Sequence, residues 1–247
     1  MCGRFTFTSD PILLRQLFFG CKIPTNISPR YNITPTQDVA VIANTQNDGE
    51  SDGNAKKVEF FHWGLIPSWA KDAKIGSRMI NARSETLTEK PSFRSAYKRR
   101  RCLILADGYY EWQKVLGTKL KQPVYIRLKS QNPFAFAGLW EEWQANWMEK
   151  PLRSCTIITC PPNPFLEEIH HRMPVILPQD RYAQWLAPDE QSSETLQPLL
   201  APYSGEEMEA YPVSRLVNRP INDSPECIAP VSDGNGSSEQ KLVGSLF

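Results

Sequence analysis

Several things are scarce in this 247-residue chain, and each scarcity closes off a class of protein. There is no apolar run approaching the ~18–20 residues that a membrane-spanning helix needs, and no basic segment followed by an apolar one at the amino terminus, as a secretory leader requires. The expected location is therefore cytoplasmic, or nuclear where the cell has a nucleus. The net charge is only +1, which excludes a globally basic nucleic-acid binder but leaves a local patch open. Six cysteines are present, at positions 2, 21, 102, 155, 160 and 227. They form no C-x-x-C pair and have no histidine at ligand spacing, so no metal site is expected and most of them read as small core residues. Only three histidines occur. Internal repeats and composition shifts are missing too, so one domain over residues 2–230 is the simplest organisation, with 231–247 as a loose polar tail. Nothing in the pattern suggests an obligate oligomer, and a monomer is expected.

What is present reads as an α+β fold of mainly antiparallel sheet around a barrel-like core, with a few peripheral helices. Short runs rich in apolar and β-branched residues recur at Asp38–Ala43, Val58–Trp63, Arg101–Ala106, Val124–Lys129, Phe134–Leu139, Cys155–Cys160 and Pro174–Leu177. In Val124–Lys129 the alternation is clean, with Val124, Ile126 and Leu128 on one face. The polar stretch 44–56 separates two such runs and reads as a long hairpin loop. Helices are expected over Ile12–Phe19, capped by Ser9 or Asp10, over Gln179–Leu186 after Pro178, and over Ser193–Leu200.

The chain opens Met1-Cys2-Gly3-Arg4-Phe5. A small second residue favours removal of Met1, which leaves cysteine as the mature amino terminus. Its α-amine (reference pKa about 7.7–8.0) and thiol (about 8.5) are then both partly nucleophilic near neutral pH. Such an aminothiol traps aldehydes: the amine forms a Schiff base and the sulfur closes a thiazolidine ring. An incidental cysteine in a frayed end is the simpler account of Cys2 by itself.

Three internal motifs bear on this chemistry. Asn81, Arg83 and Glu85 combine an amide, a guanidinium and a carboxylate, though a capped loop explains them equally simply. Glu111, in Asp107-Gly108-Tyr109-Tyr110-Glu111-Trp112, is flanked by aromatics. Partial desolvation would raise its pKa into the range of a proton donor at neutral pH, and an exposed edge glutamate is the alternative. His170 and His171 precede Arg172-Met173-Pro174, where a histidine suits two-way proton transfer or a purely structural role. A cluster of Arg94, Lys98, Arg99, Arg100 and Arg101, with Trp63 and Trp69, suits contact with single-stranded DNA. Trp63, ending a strand, reads more simply as core.

In this order the motifs resemble the SOS-response-associated peptidase (SRAP) family of abasic-site processing proteins. The resemblance is carried by Met1–Phe5, Tyr31-Asn32-Ile33-Thr34-Pro35, Trp63–Trp69, Ile80–Thr86, Ala106–Trp112, Ile169-His170, Arg172-Met173-Pro174, Val213-Ser214, Val217-Asn218 and Ser224-Pro225-Glu226. It implies binding of abasic sites in single-stranded DNA during the DNA-damage response, and a covalent thiazolidine crosslink to them, with no metal or organic cofactor. It also implies roles: Cys2 as nucleophile, Asn81 steadying the amino terminus and sugar oxygens, Glu111 opening the deoxyribose ring, and His170 as acid/base for the imine and ring-closing steps. The spacing to Arg172-Met173-Pro174 favours His170 over His171. Arg4, Arg83 and Arg172 would hold phosphates, Pro35 with Asn32 would wedge against bases, Trp69 would stack, and Thr159 would line the nucleophile's pocket. A cysteine peptidase using Cys2 and His170, confined to removing its own Met1 or a short leader, is the rival that the family's name suggests.

Overall fold

The computed structural model describes residues 2–18, 20–25, 27–44 and 56–231. Most of the expected 44–56 loop and the tail beyond Val231 lie outside the described residues. The strands are β1 (Phe5–Phe7), β2 (Arg30–Ile33), β3 (Asp38–Ala43), β4 (Val58–Trp63), β5 (Asn81–Arg83), β6 (Arg101–Ala106), β7 (Gly108–Lys114), β8 (Lys121–Leu128), β9 (Phe134–Trp143), β10 (Leu152–Cys160), β11 (Met173–Pro174), β12 (Ile176–Leu177) and β13 (Met208–Pro212). The helices are short: α1 (Pro11–Leu17), α2 (Arg94–Arg99), α3 (Tyr182–Trp185) and α4 (Ser193–Leu196). No helix among the described residues is long and apolar enough to cross a membrane.

Five strands close on themselves. β10 pairs with β4, β4 with β3, β3 with β6, β6 with β9, and β9 returns to β10; only the β4–β10 pairing is parallel. Closure leaves this sheet without open edges inside the ring. The sequence Arg-Cys-Leu-Ile-Leu-Ala of β6 is buried at every position because one face fills the barrel and the other lies under α2 and α3. There the Trp185 indole N–H donates to the Cys102 carbonyl at 2.9 Å. A second antiparallel sheet, in the order β13-β8-β7-β1-β2, packs beside the barrel. The aromatic residues Phe5, Trp63 and Phe136 join the two layers: the Phe5 ring meets those of Trp63 and Phe136 edge-on, at 5.1 and 5.7 Å between centroids. Trp63 is therefore core, as its place at a strand end suggested.

The expected architecture is present, with local differences. The run Pro174–Leu177 is two strand fragments serving different neighbours: Pro174 pairs with β10, and Ile176 and Leu177 pair with β9. The segment 179–186 forms a 3₁₀ turn before α3, and Gln197–Leu200 continues α4 as 3₁₀. Asp10 caps α1 through its carboxylate on the Ile12 N–H, at 2.6 Å.

The basic cluster at 94–101 is a structural feature. Arg101 is fully buried, and its guanidinium donates to the carbonyls of Tyr97, Lys98, Trp185, Ala187 and Asp189. Arg100 pairs with Glu141, and Arg99 and Lys98 share Glu190. The run therefore ties α2 to the barrel and to the 187–190 loop, and its charges are largely answered within the fold.

Phe5 is fully buried between the layers, so Phe5→Ala is expected to cost about 3–5 kcal/mol, the usual penalty for an unfilled aromatic site. Urea unfolding of the purified variant measures it.

Candidate active site

The site sits between the inner face of the second sheet and the barrel strands β5 and β10. β1 brings the amino terminus to it. Phe5 pairs with Ile33 on one side and with Tyr109 on the other, and the Tyr110 N–H donates to the Arg4 carbonyl at 2.9 Å. Gly108 is required where β7 meets β1: a Cβ there would lie 2.1 Å from the Tyr125 hydroxyl, which itself bonds the Thr6 hydroxyl at 2.8 Å. Asp107 then gathers the residues after β1, accepting from the hydroxyls of Thr6, Thr8 and Ser9 and from the Thr8 N–H.

Cys2 is fully buried. Asn81, on β5, donates its side-chain N–H to the Cys2 carbonyl at 2.8 Å, so the first residues are held by the barrel as well as by the second sheet. The Asn81 Oδ1 is buried with no hydrogen-bond partner among the described residues. Burial pushes the Cys2 thiol well above its ordinary pKa, the Glu111 carboxylate pushes it further, and the Arg4 N–H acts in the opposite direction.

Glu111 and His170 face one another, Oε2 to Nε2, at 3.7 Å. Glu111 is 4% exposed, and desolvation raises its pKa from 4.5 to about 7. Burial lowers His170 from 6.5 to about 4, and the neighbouring His171 imidazole, stacked on it at 4.3 Å, acts in the same direction. The usual order of the two groups is thus inverted: the carboxyl holds its proton to a higher pH than the imidazole does. The Arg172 backbone presents both its N–H, at 3.1 Å, and its carbonyl, at 3.0 Å, to Nδ1. The tautomer that donates from Nδ1 to that carbonyl leaves Nε2 facing Glu111 as an acceptor, and this is the form able to take up a proton.

Against this geometry, the family model described as "SOS response associated peptidase (SRAP)" matches residues 1–220. The chain belongs to the SRAP family. It is 49% identical over 231 residues to the abasic site processing protein YoqW of Bacillus subtilis, covering 92% of this chain and 99% of that one. It is 33% identical over 251 residues to the abasic site processing protein HMCES of Rattus norvegicus, covering 90% and 70%. A crystal structure of a Bacteroides thetaiotaomicron protein superposes with a TM-score of 0.80 at 27% identity, covering 94% of this chain and all of that one.

The remaining residues that the SRAP resemblance singled out fall into two groups. Arg83 and Trp69 are exposed, Trp69 by 59%, and Pro35 is half-buried. The others are engaged within the fold. Arg172 forms a two-pronged pair with Glu85, at 2.5 and 3.0 Å, and also donates to the Thr159 carbonyl. Thr159 is fully buried between Arg83 and Pro174. Arg4 donates to the Asn32 Oδ1 at 2.7 Å and the Val217 carbonyl at 2.6 Å, with its guanidinium 5.6 Å from the centre of the Trp112 ring. Asn32 is the clearest departure from a DNA contact. It is fully buried, and its amide N–H groups serve the carbonyls of Val217, Arg219 and Asn222. Burial leaves it no surface for a base, so its place is to fix Arg4 and the 217–222 turn.

Glu85, already singled out as a carboxylate in the 81–85 motif, proves to be the partner of Arg172. Asp223, which accepts from the Tyr31 and Asn32 N–H groups and pairs with Arg30, escaped the sequence reading because it gave no local signal. Among the described residues no group of three or more His, Cys, Asp or Glu could hold a metal ion.

The raised Glu111 pKa has a thermodynamic consequence. Below pH 4.5 the group is protonated both folded and unfolded and costs nothing. From pH 4.5 to about 7 the unfolded chain gives up its proton while the folded state holds it, so stability falls across this window, and above it the folded state carries the full cost of a buried carboxylate. Glu111→Gln removes that loss. The variant is expected to be more stable than wild type at pH 8 by up to about 3 kcal/mol, with the gain vanishing near pH 4, as followed by denaturant unfolding across pH.

Proposed function

We propose that the mature protein, freed of Met1, senses abasic sites in single-stranded DNA and joins them covalently through Cys2 as a thiazolidine. The single observation that carries this reading is the fixing of residue 2 by the Asn81–Cys2 carbonyl bond beside a Glu111–His170 pair with inverted proton affinities. The names of the relatives support the choice of substrate: they are abasic site processing proteins.

Each residue has a step. An abasic sugar is mostly a closed hemiacetal. Glu111 in its protonated form donates to the ring oxygen as the anomeric hydroxyl gives its proton to water, the ring C–O bond breaks, and the aldehyde is released. The α-amine of Cys2 adds to the aldehyde carbon, and loss of water gives the imine. Neutral His170 accepts a proton from the adding amine and returns one to the departing hydroxyl. The sulfur then adds to the imine carbon while the thiol proton ends on nitrogen. The product is a saturated ring that no longer activates the strand for β-elimination. This is covalent catalysis with the product retained. Asn81 holds Cys2 in register, and its open Oδ1 is available to a sugar hydroxyl. Arg83 and Trp69 offer exposed contacts to phosphate and base. Arg4, Arg172 and Thr159 shape the pocket wall, with Arg172 reaching phosphate only by exchanging Glu85. A single domain over residues 2–230, acting as a monomer without a cofactor, is sufficient for this scheme.

Incubating the trimmed protein with single-stranded DNA carrying one abasic site is expected to give a shifted band on a denaturing gel. The band should be absent for Cys2→Ala and for protein that retains Met1 by mass spectrometry. Without any such band from correctly trimmed wild type, the proposal fails, and cleavage of a peptide substrate in the same preparation would favour the peptidase reading. Glu111→Gln should slow reaction with abasic DNA by about 100-fold while leaving reaction with a small free aldehyde within a few-fold. Equal slowing of both would remove Glu111 from ring opening.

A further inference from the structure

The β7–β8 ladder that carries Glu111 runs on past the site into a hairpin that has no part in the scheme above. Along it Glu111 pairs with Val124, Gln113 with Gln122 and Lys114 with Lys121, so the Lys114–Lys121 rung stands three residues, about 10 Å, beyond Glu111. The Gln113 side chain donates to the Glu168 carbonyl at 3.2 Å, which ties the base of the hairpin to the turn that presents His170. Gly117, at φ +75°, takes the left-handed conformation that the reversal needs, and the Thr118 N–H closes the turn on the Val115 carbonyl at 3.2 Å. The hairpin is therefore fixed against the pocket at its base and exposed at its tip.

No acidic residue occurs between Glu111 and Glu141. Lys114, Lys119 and Lys121 are exposed, and none has an ion pair among the described residues, even with Glu167 and Glu168 exposed on the neighbouring turn. The basic run at 94–101, by contrast, is answered by Glu141 and Glu190. Beside the three lysines stand Leu116, 88% exposed, and Leu120, 55% exposed. Unanswered cations next to bare apolar side chains fit a polyanion that also shows flat apolar faces. Single-stranded DNA has both; a duplex hides its base faces in the stack. The position beside the Glu111–His170 pair favours DNA over an acidic peptide.

We propose that the 114–121 hairpin is an arm for single-stranded DNA: its lysines hold phosphates of the strand that flanks the abasic nucleotide on the His170 side, and Leu116 packs on an unpaired base. The arm extends the contact beyond the nucleotide that reacts, so it sets affinity for the strand and leaves the bond-making steps to the pocket. The Lys121 charge reaches Glu111 and His170 and lowers the pKa of each, which agrees with its place at the mouth. The inference rests on the reading of the site as one for abasic single-stranded DNA.

Two variants test it: Lys114→Gln combined with Lys119→Gln, and Leu116→Ser alone. Lys121 is left in place because its charge acts on Glu111 and His170. The altered side chains are exposed, so thermal unfolding should match wild type. The first readout is fluorescence anisotropy with an undamaged single strand of about 20 nucleotides, and with a blunt duplex of the same sequence. The double variant is expected to bind the strand about tenfold more weakly at low salt, and its log K against log salt slope should be shallower by about 1.4, two phosphate contacts at roughly 0.7 each. Leu116→Ser should weaken the strand about fivefold at an unchanged slope while leaving the duplex within about twofold. The second readout is crosslinking by Met1-trimmed protein. An abasic trinucleotide should react at the wild-type rate, whereas a long abasic strand below saturation should react more slowly in step with its lost affinity. Wild-type affinity and slope in the double variant would overturn the proposal. Equal slowing on the short and long abasic substrates would do the same, since the hairpin would then act through the pocket. Equal weakening of strand and duplex by Leu116→Ser would overturn the base contact. A wild-type protein that forms no adduct would instead defeat the functional reading, and the anisotropy series on undamaged DNA would still decide the arm.

Discussion

The pairing of β1 with β2 on one side and β7 on the other holds the amino terminus where chain ends ordinarily fray. Three residues make a poor strand by themselves. Here they are gripped by two ladders, by the Phe5 ring between Trp63 and Phe136, and by Asp107, which collects the hydroxyls of Thr6, Thr8 and Ser9. Asn81 adds the last constraint from the barrel. Any chemistry that uses the α-amine of residue 2 needs this grip. An amine on a loose end would sample many positions, whereas one tied at its own carbonyl and two residues later at Arg4 is confined to the pocket.

That grip also creates the electrostatics. Inserting β1 beside β7 covers Glu111, and the covered carboxyl takes up a proton at a pH where an exposed one would not. His170 is brought against it by the turn in which its backbone N–H donates to the Leu166 carbonyl and the Gln113 side chain reaches the Glu168 carbonyl. The same dryness lowers the imidazole. Exclusion of water between two layers is the largest cause of both shifts: it keeps the carboxyl protonated and the imidazole neutral.

Much of this was legible in the sequence, and the exceptions have identifiable causes. The barrel strands β3, β4 and β6 were readable at their observed bounds because each is a run of β-branched and apolar residues with polar flanks. β1 and β2 were not, since Phe5–Phe7 and Arg30–Ile33 are too short to show a period and draw their order from partners far along the chain. Helix α2 was hidden inside what looked like a nucleic-acid patch; only the fold reveals that Arg101 answers five buried carbonyls. The motif order picked out Cys2, Asn81, Glu111 and His170, and the structure places Asn81 on Cys2 and His170 on Glu111. Asn32 was expected at the bases, with Pro35, only because the family resemblance implied it. Its burial follows from the 217–222 turn, almost two hundred residues away, which no local pattern announces.

The burial of Cys2 has a further implication for the proposed order of events. Desolvation disfavours the thiolate, so the sulfur is a weak nucleophile in the resting protein, and the amine is the group that attacks first. Only after the imine has placed an electrophilic carbon next to the sulfur does deprotonation become productive, because the proton has the imine nitrogen to go to. A pocket that suppresses the thiolate at rest thus protects the cysteine from adventitious alkylation and oxidation, both of which follow thiolate character. The same suppression would leave the imine exposed to β-elimination unless something lowered the cost of charge on sulfur at that moment. The donor that already acts on this sulfur is the Arg4 N–H. It comes from the residue just before β1, the strand that puts Cys2 in the pocket.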